Sequence, residues 1–366
     1  MSLNVGIIGL ENVGKTSLFR ALTHGVQASG RAQMATVPVP DDRLKVLTDM
    51  VHPKRTVPTG VQFVDVGGVT RGAAEGGGLG GQFLSNLQGV DVLAVVLRYY
   101  DRPDFGAGTE AATALDDLDA LLLELGLSDM SRIERRLERT AKAARGGDQA
   151  ARREEELLHR IQERLNAGLP ARGIDSTDLD SIKDLGLLTL KPMIYVANVT
   201  EDDLGPALDS SLGDPREVRN ALVALRAQAS ERQAEVAIVS AATEADLAEL
   251  SEPDAREYLE SLGVTETGMG RFVRTAYDLL GLLTFLTAGE PEVRAWTVRR
   301  GAKAPEAAGQ IHSDIERGFI RVEVTAWDDL VAAGNPDAAK RAGKTRVEGK
   351  DYVMREGDVV YFRFKV

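Results

Sequence analysis

Gly9-Leu10-Glu11-Asn12-Val13-Gly14-Lys15-Thr16 is the stretch that most narrows what this chain can become. Before it stands Leu3-Asn4-Val5-Gly6-Ile7-Ile8, a short apolar run rich in β-branched residues. After it, Ser17-Leu18-Phe19-Arg20-Ala21-Leu22 repeats its apolar residues at helical spacing. Strand, glycine-framed loop and helix, in that order, make G-x-x-x-x-G-K-[ST] a phosphate cradle. The glycines let the loop fold back so that successive N–H groups point inward, and the following helix aims its positive end at the same spot. Residues Asn12, Val13, Gly14, Lys15, Thr16 and Ser17 are therefore expected to hold the phosphates of a nucleotide. Lys15, expected to be exposed in the loop, reaches the β- and γ-phosphates, and the Thr16 hydroxyl ligates Mg²⁺.

Composition sets the outer limits. At 366 residues the chain has room for two or three domains, each with its own core. Aromatic residues make up 5%, which argues against extended base-stacking surfaces. The net charge is −12, so any RNA contact needs a local basic patch, and sequence-specific DNA binding is not expected. With no cysteine, disulfides and thiolate metal sites are excluded. No apolar run approaches the ~18 residues of a membrane span, and no signal peptide precedes the first apolar run, so a cytoplasmic protein with no membrane partner is expected.

Further motifs follow in chain order. Residues 24–35 are polar and lead to Thr36, which either closes on Mg²⁺ as a first switch or is an ordinary loop threonine. Val61-Gln62-Phe63-Val64-Asp65-Val66-Gly67-Gly68 reads as a strand ending in D-x-x-G, about fifty residues after the phosphate loop. There Asp65 is expected to hold Mg²⁺ through water and the Gly68 N–H to bind the γ-phosphate, making Lys15 and Gly68 the catalytic candidates. The glycine-rich residues 72–81 read as a second switch. Asp91 to Leu97 is a buried parallel-type strand. Helical periodicity begins near Ala111, with Leu115, Leu118, Leu121, Leu122 and Leu125 on one face. Residues 131–145 and 150–165 then form an antiparallel hairpin around Gly146-Gly147-Asp148. Its first arm carries Arg132, Arg135, Arg136, Arg139, Lys142 and Arg145 against Glu134 and Glu138, which is either a solvated helix face or an RNA-facing arm. Strand 193–197 runs into Asn198-Val199-Thr200-Glu201, and strand 235–239 into Ser240-Ala241-Ala242, with a covering helix at 216–229 between them. Both strand ends sit where a GTPase grips its base. From Ala295 onward, short strands at 295–298, 319–324, 351–354 and 359–364 suggest a separate α+β domain.

Several of these segments together resemble the YchF subfamily of Obg-like ATPases: GLENVGKTSLFRALT, FVDVGGVTRGAAEGGGLGGQFL, YVANVTEDDL, VSAATEADLAEL and the run from EVRAWTVRRGAKAPEAAGQIHSDIERGFIR to EGKDYVMREGDVVYFRF. The resemblance implies an α/β P-loop NTPase G domain (1–110 and 189–281) interrupted by a helical coiled-coil insert (111–188), then an α+β, β-grasp-like TGS domain (282–366). It also implies slow hydrolysis of ATP, used as well as GTP or better, and association with the ribosome.

Against the usual N-K-x-D of guanine sites, Val199 replaces the lysine and Glu201 the aspartate. A carboxylate displaced by one methylene loses its bidentate fit to guanine, and adenine N1 is itself an acceptor. Asn198, Val199, Glu201, Ser240 and Ala241 are the base-site candidates. Val69 stands where Ras-like enzymes place a water-orienting glutamine. Asn12 matches the asparagine that binds K⁺ in related cation-dependent GTPases. The chain departs from the family pattern at Glu11, where a proline is usual, and at Thr16-Ser17, where the two hydroxyl residues are exchanged. It also lacks the I-E-P-N-x-G segment after Thr36 and the histidine-bearing I-x-H-V-x-G piece after strand 91–97; its histidines are His24, His52, His159 and His312. Three activities fit: a slow Mg²⁺-dependent ATPase acting with the ribosome or RNA, a nucleotide sensor that does not hydrolyse, and an Obg-type GTPase.

Overall fold

The computed structural model describes residues 3–23, 33–67, 81–100, 111–175, 177–208 and 217–365. The chain forms two compact units, one of Met1–Thr36 with Gln62–Ala276 and one of Val37–Val61 with Tyr277–Val366.

Strands β1 (Asn4–Ile8), β2 (Gln33–Pro38), β3 (Thr56–Val57), β4 (Gly60–Asp65), β5 (Val92–Tyr99), β6 (Met193–Val199) and β7 (Glu235–Val239) come first in the chain. All but β3 form one sheet in the order β2-β4-β1-β5-β6-β7. β1 pairs in parallel with β4 and β5, and β6 and β7 continue the parallel pairing beyond β5. Strands covered on both faces must be apolar along their length. Every residue of β6 is buried, and so are the first six of β5. From β1 the chain goes to one side of the sheet and returns to the other at β5. The carboxyl end of β1 is therefore the switch point, where a crevice opens in such sheets.

Helices α1 (Lys15–Leu22), α2 (Asp42–Val51) and α3 (Gly81–Gln88) follow β1, β2 and the glycine-rich stretch. The last carbonyls of α3, Leu87 and Gln88, accept from Lys191 Nζ at 2.8 and 3.0 Å, which satisfies orphan acceptors of that helix end. The sequence suggests separate helical stretches near 111–125 and 131–145; one helix, α4 (Ala111–Arg145), runs through both. The buried residues Leu118, Leu121, Leu125 and Ile133 carry one apolar stripe across Gly126. Asp148 caps α5 (Gln149–Asn166) by accepting from Ala150 N at 2.8 Å and Ala151 N at 3.2 Å. Ile133 packs with Leu157, Leu158 and Ile161 in the hairpin seam, as the spacing predicts.

At the root of the hairpin, the fully buried Asp129 accepts from Leu188 N and Thr189 N, each at 2.8 Å, and from Thr189 Oγ1 at 2.6 Å. Two of the arm's arginines turn onto the same root. Arg132 donates to the Leu185 and Gly186 carbonyls at 2.9 and 3.1 Å, and Arg136 to Glu154 at 2.6 Å and Asp184 at 2.8 Å. Arg135, Arg139, Lys142 and Arg145 are exposed.

Helices α6 (Glu201–Leu208), α7 (Glu217–Glu231), α8 (Ala241–Leu247) and α9 (Glu252–Ser261) follow in the first unit, which ends at Ala276 within α10 (Gly268–Leu279). In the second, β8 (Leu282–Ala288), β9 (Val293–Arg299), β10 (Phe319–Thr325), β11 (Thr345–Glu348) and β12 (Val359–Phe364) join β3 in a sheet ordered β11-β10-β12-β8-β9-β3. Phe285, Val298, Val322, Val324 and Phe362 form its core against Ala304, Ala307 and Ala308 of α11 (Ala304–Ile311). Residues 351–354, read as a strand from their apolar content, make only an isolated bridge from Val353 to Lys303. Residues 37–61, read as part of the first G-domain stretch, group with this unit. The reason is packing: Leu44 and Leu47 of α2 lie in one cluster with Leu286, Val293 and Ala295, and β3 pairs with β9.

Candidate nucleotide-binding site

The loop after β1 takes the shape its glycines allow. Gly14 caps α1 at φ 95°, and a Cβ there would stand 2.3 Å from Asn198 Nδ2. Only glycine meets both demands. Asn12 lies at φ 63°, a left-handed conformation that asparagine tolerates better than most side chains. Val13 is buried, while Glu11, Asn12, Thr16 and Ser17 are exposed around the turn.

Lys15 departs from expectation. It is 8% exposed rather than open to solvent, with its ammonium donating to the Leu10 carbonyl. The loop folds over its stem. Burial holds its pKa below the ordinary value near 10.5, with Asp65 and Glu11 pulling in the opposite direction. A cation so placed is desolvated before any ligand arrives, and an incoming anion repays that cost.

Asp65 ends β4 half-buried, its Oδ1 accepting from Gly67 N at 3.0 Å. Thr36, expected either to close on Mg²⁺ as a first switch or to be an ordinary loop threonine, lies exposed within β2. Gly68, Val69 and residues 72–80 of the second switch fall outside the described residues. The donors available for a cation are a hydroxyl and a carboxylate, both hard oxygens. Among the described residues no three His, Cys, Asp or Glu side chains gather as a metal cage. Such a set suits Mg²⁺, which keeps waters and takes much of its coordination from substrate phosphates.

On the base side, Asn198 belongs to β6 itself rather than to the loop beyond it, and is 4% exposed. Its Nδ2 donates to the Val13 carbonyl at 3.1 Å and its Oδ1 accepts from Ala241 N at 3.0 Å. One carboxamide thus joins the phosphate loop to the first residue of α8. Ser240 is fully buried and caps α8, its Oγ accepting from Thr243 Oγ1 at 2.9 Å. Val199 is buried at the end of β6. Glu201 begins α6, exposed, and bonds the Tyr258 hydroxyl, which holds that phenol above its ordinary pKa. The structure therefore joins Val13, Gly14, Asn198, Ser240 and Ala241 in one contact network. Sequence reasoning missed Glu244 of α8, whose carboxylate is buried among these elements.

Known proteins share this sequence and fold. The family described as "50S ribosome-binding GTPase" matches residues 4–135, and the YchF-GTPase C-terminal family ("Protein of unknown function") matches 282–365. The "Ribosome-binding ATPase YchF" of Bacillus subtilis (strain 168) is 43% identical over 375 residues, covering all of both chains. That of Escherichia coli O157:H7 is 40% identical over 377 residues, again over all of both chains. The "Obg-like ATPase 1" of Xenopus laevis is 32% identical over 99% of this chain and 92% of its own. The solved Schizosaccharomyces pombe YchF GTPase superposes with a TM-score of 0.86 at 31% identity, over 99% of this chain and 98% of that one.

Proposed function

The chain belongs to the YchF family of Obg-like ATPases, and from that premise we propose that it is a slow, Mg²⁺-dependent ATPase that uses ATP at least as well as GTP and binds the ribosome according to its nucleotide state. The observation that carries this reading is the joined loop: the left-handed Gly14, the desolvated Lys15 beside it, and Asn198 tying the loop to α8. In this reading Lys15 exchanges the Leu10 carbonyl for the β- and γ-phosphates, and the amides of Asn12 to Ser17 line the phosphate chain. The Gly68 N–H receives the γ-phosphate. Thr16, Asp65 and Thr36 serve Mg²⁺, which supplies positive charge against the transferring phosphoryl group. Asn12 is the candidate for a K⁺ close to the same oxygens. The protein works in the cytoplasm, with the ribosomes.

The base preference rests on Val199 and Glu201. A calorimetric titration with Mg²⁺ is expected to give ATP an affinity equal to or above that of GTP. A hundredfold preference for GTP, about 2.7 kcal/mol, would overturn the assignment.

For the ribosome, the arm is the better-placed surface of the hairpin, and its contact is assigned to the phosphates of ribosomal RNA. Arg132 and Arg136 are spent on contacts within the hairpin, so the candidates narrow to Arg135, Arg139, Lys142 and Arg145, which are exposed. In the C-terminal unit, Arg300 pairs with Asp278 at 2.6 Å, Lys303 with Asp351 at 2.7 Å, and Arg294 stacks over Trp296 at 4.1 Å. Replacing Arg135, Arg139, Lys142 and Arg145 together by Gln should weaken ribosome co-sedimentation several-fold and flatten its salt dependence, since each lost phosphate contact removes close to one unit of slope. ATP affinity should not move. Parent-like binding by this variant would transfer the contact to Arg294, Arg299, Arg300 and Lys303.

A further inference from the structure

α8 is a short helix, and its first amide holds Asn198. What holds α8 is Glu244. This side chain is 7% exposed, and its Oε1 accepts from Met269 N at 2.9 Å while the carboxylate also takes the Gly268 N–H. Those are the first two amides of α10, orphan donors at a helix N-terminus, where a carboxylate is favoured. The start of α10 is itself pressed onto the end of β7: a Cβ on Gly268 would stand 2.5 Å from the Ile238 carbonyl oxygen and 3.1 Å from Val239 Cα. Thr267 takes the next free amide, Gly270 N, at 2.9 Å. The chain of contacts is thus continuous. It runs from α10 through Glu244 to α8, from Ala241 N to Asn198, and from Asn198 to the Val13 carbonyl of the phosphate loop.

We infer that Glu244 is a positioning residue of the nucleotide site, setting the orientation of the Asn198 carboxamide by locking α8 against the N-terminus of α10. The inference rests on the nucleotide site proposed above. Two amides converge on this carboxylate, whose two oxygens both accept, whereas a carboxamide offers one acceptor oxygen beside a donating NH₂. Gln in place of Glu244 would turn an NH₂ toward one of the amides and free α8 to shift. Asn198 then loses its fixed partner on one side.

A merely structural role would tie any loss of ATP affinity to a matching loss of stability. Burial raises the Glu244 pKa from its ordinary 4.5 to about 7, opposed by the bonds from Met269 and Gly268. A raised carboxyl contributes most to stability below the unfolded value, and that contribution is lost as pH rises through the folded one. Ionised Glu244 is therefore held at a cost to the fold at pH 8, and removing the charge relieves that cost. Retaining a costly charge makes sense where its two acceptors do something for the site.

The test uses the full chain and three proteins: the parent, Glu244→Gln, and Thr267→Ala as a control that weakens the same helix terminus without touching α8. ATP affinity is measured by calorimetry from pH 6 to pH 8, with thermal melting alongside. The expected result is that E244Q binds ATP about tenfold more weakly at pH 8 while melting no lower than T267A. Parent affinity should fall toward pH 6, with E244Q flat across the range. T267A should melt lower than the parent and bind ATP within about twofold of it. Equal ATP affinity of E244Q and parent at pH 8, or equal losses in E244Q and T267A, would overturn the role. A parent that binds no nucleotide at all overturns the proposed function instead, and is read before either variant.

Discussion

Lys15→Ala is expected to weaken ATP binding at least a hundredfold, about 2.7 kcal/mol, while leaving the fold intact. The residue sits where strand, loop and helix converge, 8% exposed, with its ammonium on a single backbone carbonyl. Its pKa stands below the ordinary 10.5, so at pH 7 the charged form costs the folded protein stability. Phosphate reverses that balance, because a charge-assisted contact to an anion is far stronger than one to a neutral carbonyl. Lys15→Met keeps the stem's volume and removes the charge. It should bind as poorly as the alanine variant and melt at or above the parent's temperature. Nucleotide affinity by calorimetry and melting by scanning calorimetry decide the matter together. Unchanged affinity in both variants would remove the phosphate-loop reading.

The second large effect lies far from the phosphates in sequence. Asp129→Ala should cost about 3 kcal/mol or more of stability in denaturant unfolding, because it strips acceptors from buried donors. Leu188 N, Thr189 N and Thr189 Oγ1 all give to this one fully buried carboxylate. The residues it holds carry Lys191, which closes the end of α3, and Arg132 reaches the neighbouring Leu185 and Gly186 carbonyls. A loss below about 0.5 kcal/mol would mean that water satisfies these groups at little cost and that the hairpin root does not depend on Asp129.

The local elements around the phosphate loop were legible because their signals are periodic and near in sequence. β1, the glycine turn and α1 follow from eight residues and their flanks, and the hairpin seam follows from apolar spacing on α4 and α5. What the sequence withheld depends on partners that are distant along the chain. The burial of Lys15 comes from the way the loop closes over it. The placement of residues 37–61 comes from the pairing of β3 with β9 and from Leu44 and Leu47 meeting Leu286 and Val293. Arg132 and Arg136 look like a basic face until the segment at 181–186 folds against them. Thr36 looks like loop because no local pattern marks an edge strand. Glu244 was one acid in VSAATEADLAEL until α10 supplied the two amides that explain it.

Phosphate release from ATP and GTP by the purified protein, with Mg²⁺ and K⁺ present, separates a slow ATPase from a non-hydrolysing sensor and from an Obg-type GTPase. Slow but measurable turnover of ATP is expected, at least equal to that of GTP and abolished in Lys15→Ala. Turnover of neither nucleotide above the Lys15→Ala background, or turnover of GTP alone, would contradict it.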